Sequence, residues 1–469
     1  MKTLSSSIAA HRAFPAFALL GAALLTIAPQ LGAESIRLDR AIVHTVSGPS
    51  LTNTAVLIRD GRIAAIGAEA SAATADRTVS LEGLHLFPGL IAPGTILGLI
   101  EIDAIRPTRD TTEVGEFTPD VHSWIAVNPE SELIPVARAN GYTHAQAIPL
   151  GGIVSGHSSL IRLHGWTIED LADRRTAALH LFWPSFSINT SPRPTGGGRQ
   201  DQWKSPEDQV RERDLELRKI DAFFDEANAY AAARRAAGLG SMPPLSIEAA
   251  AGRKPASVET NGFTVVPAWE SMLPVLNGEV PLFLHADDYR QIRSGVEWAV
   301  RRKFRTVLAG GLDAIRVAPL LATNNIPVAY EHVFTQPYYE TDGYDAMYAA
   351  PAKLHAAGVT VAFSEGTDRF GASNIRNIPY AAAQAVAFGL PRIEGWRGLT
   401  LHPARMLGVA DRLGSIEVGK EASLIAVTGD ILDIRAQVKH LWIAGREVSL
   451  ESRHTRLYEK YRNRPRPNP

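Results

Sequence analysis

Phe87-Pro88-Gly89-Leu90-Ile91-Ala92-Pro93-Gly94-Thr95-Ile96-Leu97-Gly98-Leu99 is a short apolar run broken twice by Pro-Gly. A run so bounded reads as a brief buried strand whose carboxyl end opens into a loop. Buried parallel strands belong to α/β folds, in which chemistry is placed at the carboxyl ends of the strands. The sequence changes character here. Small antiparallel β-structure is expected before this stretch, and strands alternating with helices after it.

Working outward, Ser35–Leu86 alternates imperfectly in the manner of strands, and Asp60-Gly61 between two apolar runs marks a hairpin. A β-module this short buries little core of its own. Its complement lies at the far end of the chain, where Leu424–Val427 and Val438–Ile443 read as strands. The simplest arrangement pairs residues 34–86 with 409–450 in one composite β-sandwich. Between them, eight candidate strands fall at 87–92, 142–148, 159–163, 178–182, 281–286, 306–309, 327–330 and 359–363. Helix-like segments separate most of them, several ending at Gly, the usual helix stop. The expected fold is α/β: a (β/α)8 TIM barrel over 87–408 beside the composite module. An open doubly wound sheet is the alternative, because periodicity does not show closure. An insertion over 184–262 holds a Ser/Pro/Gly-rich loop and then a long helical pattern from Ser205 to Gly238, read as a packed outer helix in preference to a lid.

Composition narrows the chemistry. The 469 residues are 45% hydrophobic, carry a formal net charge of -1 and include no cysteine. Disulfides, thiolate metal sites and cysteine nucleophiles are therefore excluded. The charge balance points to no nucleic-acid partner, and the basic tail over 451–469 brings no recognisable binding module with it. Lys2, His11 and Arg12 precede an apolar run, Phe14–Ile27, and a small residue, Ala33. This pattern reads as a signal peptide over 1–33, with an exported, periplasmic or secreted mature chain that has no membrane span. A small-molecule substrate or ligand is the expected partner, and a homodimer would be an ordinary assembly for such a chain.

Four stretches carry a family likeness: Ile63–Gly67, Phe87–Ile91, Leu399–Gly408 and Gly414–Leu424. Together they resemble the amidohydrolase superfamily, in particular its imidazolonepropionase-like and dihydroorotase-like members, across essentially the whole mature chain. The resemblance implies a hydrolase of non-peptide C–N bonds working with one or two divalent metals, Zn or similar, at the barrel mouth. A metal acidifies its bound water and polarises a carbonyl, so imidazole and carboxylate ligands must converge on it. Yet the family's first-strand Asp-x-His-x-His reads Ala92-Pro93-Gly94-Thr95-Ile96 in this chain. Gly94 and Ile96 stand where the two imidazoles belong.

The family's fifth-strand histidine is matched by His285, the candidate metal or substrate-polarising residue, with Asp287 beside it as a candidate for substrate binding. The sixth-strand histidine has no counterpart in Val307–Gly311. The eighth-strand catalytic Asp corresponds to Glu365 or Asp368: Glu365 fits the strand end, and Asp368 keeps the residue type. Glu331 and His332 follow the seventh strand and are further substrate-binding candidates. Replacement ligands could come from Glu101, Asp103, Asp110, Glu113, Glu116 and His122, or from Glu340 and Asp342. Taken singly, each reads as a solvated or ion-paired loop residue. His144 reads as a core histidine, and Gly151-Gly152 as a tight barrel turn. Two functions stay open, an amidohydrolase-type enzyme with an altered metal site and a catalytically inactive barrel that binds a small ligand or a protein.

Overall fold

The structure is a computed structural model that describes residues 34–190, 203–239, 258–260, 263–368 and 370–465. The expected leader over 1–33 and the Gly-rich part of the insertion lie outside them. Strands run in chain order as β1 (Ile36–His44), β2 (Ser50–Arg59), β3 (Arg62–Ile66), β4 (Arg77–Ser80), β5 (His85–Pro88), β6 (Leu90–Thr95), β7 (Tyr142–Ala147), β8 (Val154–Arg162) and β9 (Ala172–Phe182). They continue as β10 (Val258–Thr260), β11 (Phe263–Val265), β12 (Leu282–Ala286), β13 (Thr306–Gly310), β14 (Val328–Tyr330) and β15 (Val361–Phe363). The last three are β16 (Leu424–Val427), β17 (Val438–Ile443) and β18 (Arg446–Glu447).

One eight-stranded sheet runs β18-β17-β16-β5-β1-β2-β3, with β4 also on β1. It combines both ends of the chain: Leu424 pairs with Pro88 and Val427 with His85. Ile36, Leu38, Val56 and Leu86 share one core with Ile416, Leu424 and Trp442. Apolar residues from the two ends thus supply together the core that neither could build alone.

The second eight-stranded sheet runs β15-β14-β13-β12-β9-β8-β7-β6 and is the nearly closed barrel. The run Phe87–Ala92 proves to be two strands. Phe87 and Pro88 end in the composite sheet, and Leu90 opens the barrel opposite Tyr142. Gly89 makes the crossing between sheets, because a Cβ there would sit 2.3 Å from the Thr143 side chain. Its N–H bonds Ser423 O at 2.8 Å.

Within the barrel, one element departs from eight strand–helix units. Strand β8 is longer than its expected 159–163 and runs antiparallel to both β7 and β9. Only residues 148–153 join β7 to β8, whereas a parallel crossover needs about a dozen residues or more. Gly151 and Gly152, both with positive φ, turn the chain there. The remaining pairs, β6–β7 and β9–β12–β13–β14–β15, are parallel. Edge strands β15 and β6 are joined by side chain instead of ladder: the Ser364 hydroxyl donates to Pro93 O at 2.8 Å.

Around the sheet, α1 (Leu133–Ala139), α2 (Pro206–Ala236), α3 (Tyr289–Arg301), α4 (Ala346–Ala356) and α5 (Leu401–Met406) are the helices that matter below. α2 is an outer packed helix. Ser205 caps it by accepting from Asp208 N at 3.1 Å, and Phe224 lies edge-on to Trp298 of α3 at 4.9 Å. Part of the basic tail is an exposed helix. Residues Arg453–Arg462 form α6, started by a Ser452–Thr455 capping box and held to Glu132 by Arg456 at 2.7 Å.

Candidate active site at the carboxyl ends of the barrel strands

At the end of β6 the chain spends its polar groups on itself. Gly94 adopts φ 66° and donates its N–H to Gln146 Oε1 at 3.0 Å. Ile96 is buried at 2% exposure. A histidine at 94 would need the left-handed backbone region, in which its Cβ would press to 3.3 Å from Ser364 Oγ. These residues do not fit the first-strand half of a metal cage.

Gln146 continues inward. Because its Oε1 accepts from Gly94, its Nε2 must donate, and it reaches Ser158 Oγ at 2.9 Å and His180 Nε2 at 3.4 Å. That assigns the proton of His180 to Nδ1, which lies 2.8 Å from His285 Nε2. His285 Nε2 is then the acceptor and its proton sits on Nδ1. Burial pushes His285 down to about 4, and burial together with neighbouring His285 and His157 holds His180 well below the ordinary imidazole value. Both rings are neutral at physiological pH, and His285 also stacks on Phe182 at 4.1 Å. The sequence placed His285 at a strand end but gave no role to Gln146 or His180. The signal available was parity: His180 and Phe182 share one face of β9, and on the partner strand so do Phe283 and His285.

Across the rim, β12, β14 and β15 end in carboxylates. The Asp287 Oδ1 atom meets His332 Nε2 at 2.7 Å and accepts from Leu312 N at 3.3 Å. Burial alone would raise Asp287, but the His332 hydrogen bond and charge bring it below the ordinary carboxylate range. Glu331 packs so tightly over Gly366 that a Cβ there would lie 2.1 Å from its Oε2. Burial first, then the charges of Asp287, Glu365 and Asp368, raise Glu331 to about 8. Glu365, half-buried just beyond β15, is raised to about 7 by burial and then by Asp368. Asp368 is exposed in the following turn and accepts from Phe370 N at 2.5 Å.

The structure therefore gathers Asp287, Glu331, His332 and Glu365 on one side of the rim, with Asp368 at its margin. His285 sits on the separate imidazole chain. Loop candidates are drawn elsewhere: Glu116 pairs with Lys219 at 2.7 Å, Asp342 with Arg316 at 2.9 Å and Asp103 with Arg109 at 3.5 Å. His144 is fully buried, its Nδ1 3.0 Å from Thr143 Oγ1. Among the described residues, no group of three or more His, Asp or Glu is placed to hold a metal ion.

Residues 342–448, from the loop after β14 to β18, match the model of the Amidohydrolase family. Over that segment, under a quarter of its length, the chain is similar in sequence to the amidohydrolase family. Its fold is that of an amidohydrolase from Thermotoga maritima MSB8, at TM-score 0.70 and 23% identity over 88% of this chain and 99% of that one. It is 21% identical over 78% of its length to the amidohydrolase tasK of Hapsidospora irregularis, covering 36% of that protein. A 61-residue stretch is 43% identical to a putative N-acetylgalactosamine-6-phosphate deacetylase of Escherichia coli (strain K12), covering 34% of it. The chain thus spans about a third of the length of these two curated relatives.

Proposed function

We propose that this chain is an amidohydrolase, an exported hydrolase of non-peptide C–N bonds in a small molecule, and that its acid–base pair is made of carboxyls. The observation that carries this reading is the pair Glu331 and Glu365, raised to about 8 and about 7 at adjacent strand ends. Near neutrality one can be ionised while the other keeps its proton, as acid–base catalysis requires. Ionised Glu365 takes a proton from water as its oxygen adds to the scissile carbonyl carbon. Glu331 then gives its proton to the nitrogen as the C–N bond breaks, releasing a carboxylic acid and an amine. The two groups exchange protons with solvent to reset. His332, its Nε2 proton given to Asp287, stands beside them as a wall of the substrate site. Neither step passes through a metal, since the strand-one positions do not fit one. Export rests on the leader pattern over 1–33.

A second reading, a barrel that binds a small ligand without turning it over, is favoured by the way Gly94 and Ile96 close the family's first-strand site. Hydrolysis assays on cyclic amides, N-acyl amino acids and N-acetyl sugars separate the two. The enzyme reading predicts turnover that Glu365→Gln abolishes. Saturable binding with no turnover of any member of the panel, or turnover that Glu365→Gln leaves intact, would favour the second.

A further inference from the structure

The opposite end of the barrel carries a cavity that the reaction does not use. It has a volume of about 520 Å³ and opens at the amino ends of β13, β14 and β15. Phe304, Ile326 and Met406 give it an apolar floor, and Lys303, Arg305 and Arg405 bring three cations to it. All three cations are exposed, and among the described residues none forms an ion pair with a carboxylate. Arg305 donates to Met406 O at 3.1 Å, and its guanidinium lies beside that of Arg174 over Gly408. Burial first, and then the charge of Arg174, lower the affinity of Arg305 for a proton. His402 lines the cavity as well, but it is committed: Nδ1 bonds Val361 O at 2.8 Å, and Nε2 faces Glu394 at 3.5 Å. Glu394 is in turn bound to Arg397 at 2.6 Å, so its charge is spent away from the cations.

Lys303, Arg305 and Arg405 thus present positive charge to the cavity that no carboxylate pairs with among the described residues, and the apolar floor suits more than a bare ion. The volume falls in the range of small-molecule sites, about 300–1,000 Å³. We propose that this cavity binds an organic anion, a phosphate or carboxylate joined to a compact apolar body, at a site separate from the barrel mouth. Three of the lining residues, His402, Arg405 and Met406, come from the stretch Leu399–Gly408, to which the catalytic reading gives no role. Arg405 and Lys303 meet the anionic group, and Phe304 and Met406 the body.

Calorimetric titration of the full chain with phenyl phosphate, benzoate and inorganic phosphate at low salt tests this. Saturable binding of phenyl phosphate or benzoate is expected, at least about tenfold tighter than that of inorganic phosphate. Lys303→Gln with Arg405→Gln should weaken it at least about tenfold. Arg453→Gln, on the distant α6, should leave it unchanged. Both cavity positions are exposed, so the variant should melt with the parent; if the pair melts early, Lys303→Gln alone carries the test. The two organic anions distinguish phosphate from carboxylate as the preferred head group. Absence of binding at millimolar concentration, inorganic phosphate binding as tightly as phenyl phosphate, or affinity unmoved by loss of the cations overturns the proposal.

Discussion

Two sides of one rim have met opposite fates. At the end of β6 the backbone amide of Gly94 is bonded to Gln146 and the next outward position is the hydrocarbon of Ile96. At the ends of β14 and β15, Glu331 and Glu365 are close enough for the charge of Glu365 to raise Glu331, and both hold protons far above the ordinary carboxylate range. A side chain that can titrate at neutral pH is useful for chemistry, and one that is satisfied internally is not. On the proposed reading, reactivity lies across the barrel from the positions of the family's first-strand imidazoles, and the contrast can be broken or sharpened experimentally.

The largest effect falls on turnover. Glu365→Gln and Glu331→Gln should each lower kcat/KM by about 10²–10⁴-fold on any C–N substrate the chain cleaves. The double variant should lose far less than the product of the two, since the groups act as a unit. In the parent the base must be ionised, so the rate rises as pH passes about 7. The acid must be protonated, so it falls as pH passes about 8. A profile rising steadily to pH 10 would contradict these assignments.

Rebuilding the other side should fail. Gly94→His with Ile96→His restores the residue types of the family but forces a side chain into φ 66° and a polar ring into an apolar site. Thermal or denaturant unfolding should show a loss of about 3–6 kcal/mol. Mass spectrometry under native conditions should find no stoichiometric zinc. Tight zinc uptake by this variant would mean that only two imidazoles separate this rim from its relatives.

A smaller effect appears in the pH dependence of stability. Unfolded, Glu331 ionises near 4.5; folded, it does so near 8. Between those values the native chain holds a proton that the unfolded chain has released. Stability is therefore greatest below about 4.5 as far as this group is concerned, and is lost as pH rises towards 8, by on the order of a few kcal/mol. Glu331→Gln should flatten that decline in unfolding free energies measured from pH 5 to 9. An unchanged slope would assign the decline to other groups.

The unequal legibility of the two sides has a physical origin. The resemblance to the family pointed to His285 and Glu365 at strand ends, and Glu331 was found as the residue that follows the seventh strand, all without any knowledge of contacts. The composite sheet was legible too, since two short apolar modules at opposite ends each lacked a core. What escaped was set by length and by interior polarity. Strand β8 runs antiparallel because residues 148–153 are too few for a crossover, a constraint hidden when the strand is read as starting at Ser159. Gln146 and His180 lie inside runs read as buried strands, where polar side chains become intelligible only once each finds a partner on the neighbouring strand.

The smallest predicted effect concerns that interior chain and isolates its direction. Gly94 N–H fixes Gln146 as a donor to His180, so protons point from Gln146 towards His285. Gln146→Leu leaves the amide of Gly94 without its acceptor and should cost about 1–3 kcal/mol. Gln146→Glu keeps the acceptor for Gly94 and changes the other end. Its second oxygen can only accept, so His180 must carry its proton on Nε2 and present a bare Nδ1 to His285. The His285 proton then moves from Nδ1 to Nε2. Nitrogen-15 NMR of the imidazoles separates the two tautomers directly, read at a pH where the new carboxylate is ionised, a state whose burial itself lowers stability. If His285 keeps its Nδ1 proton in that variant, the chain of donors does not run through His180, and the imidazole side of the rim is set by Phe182 stacking instead.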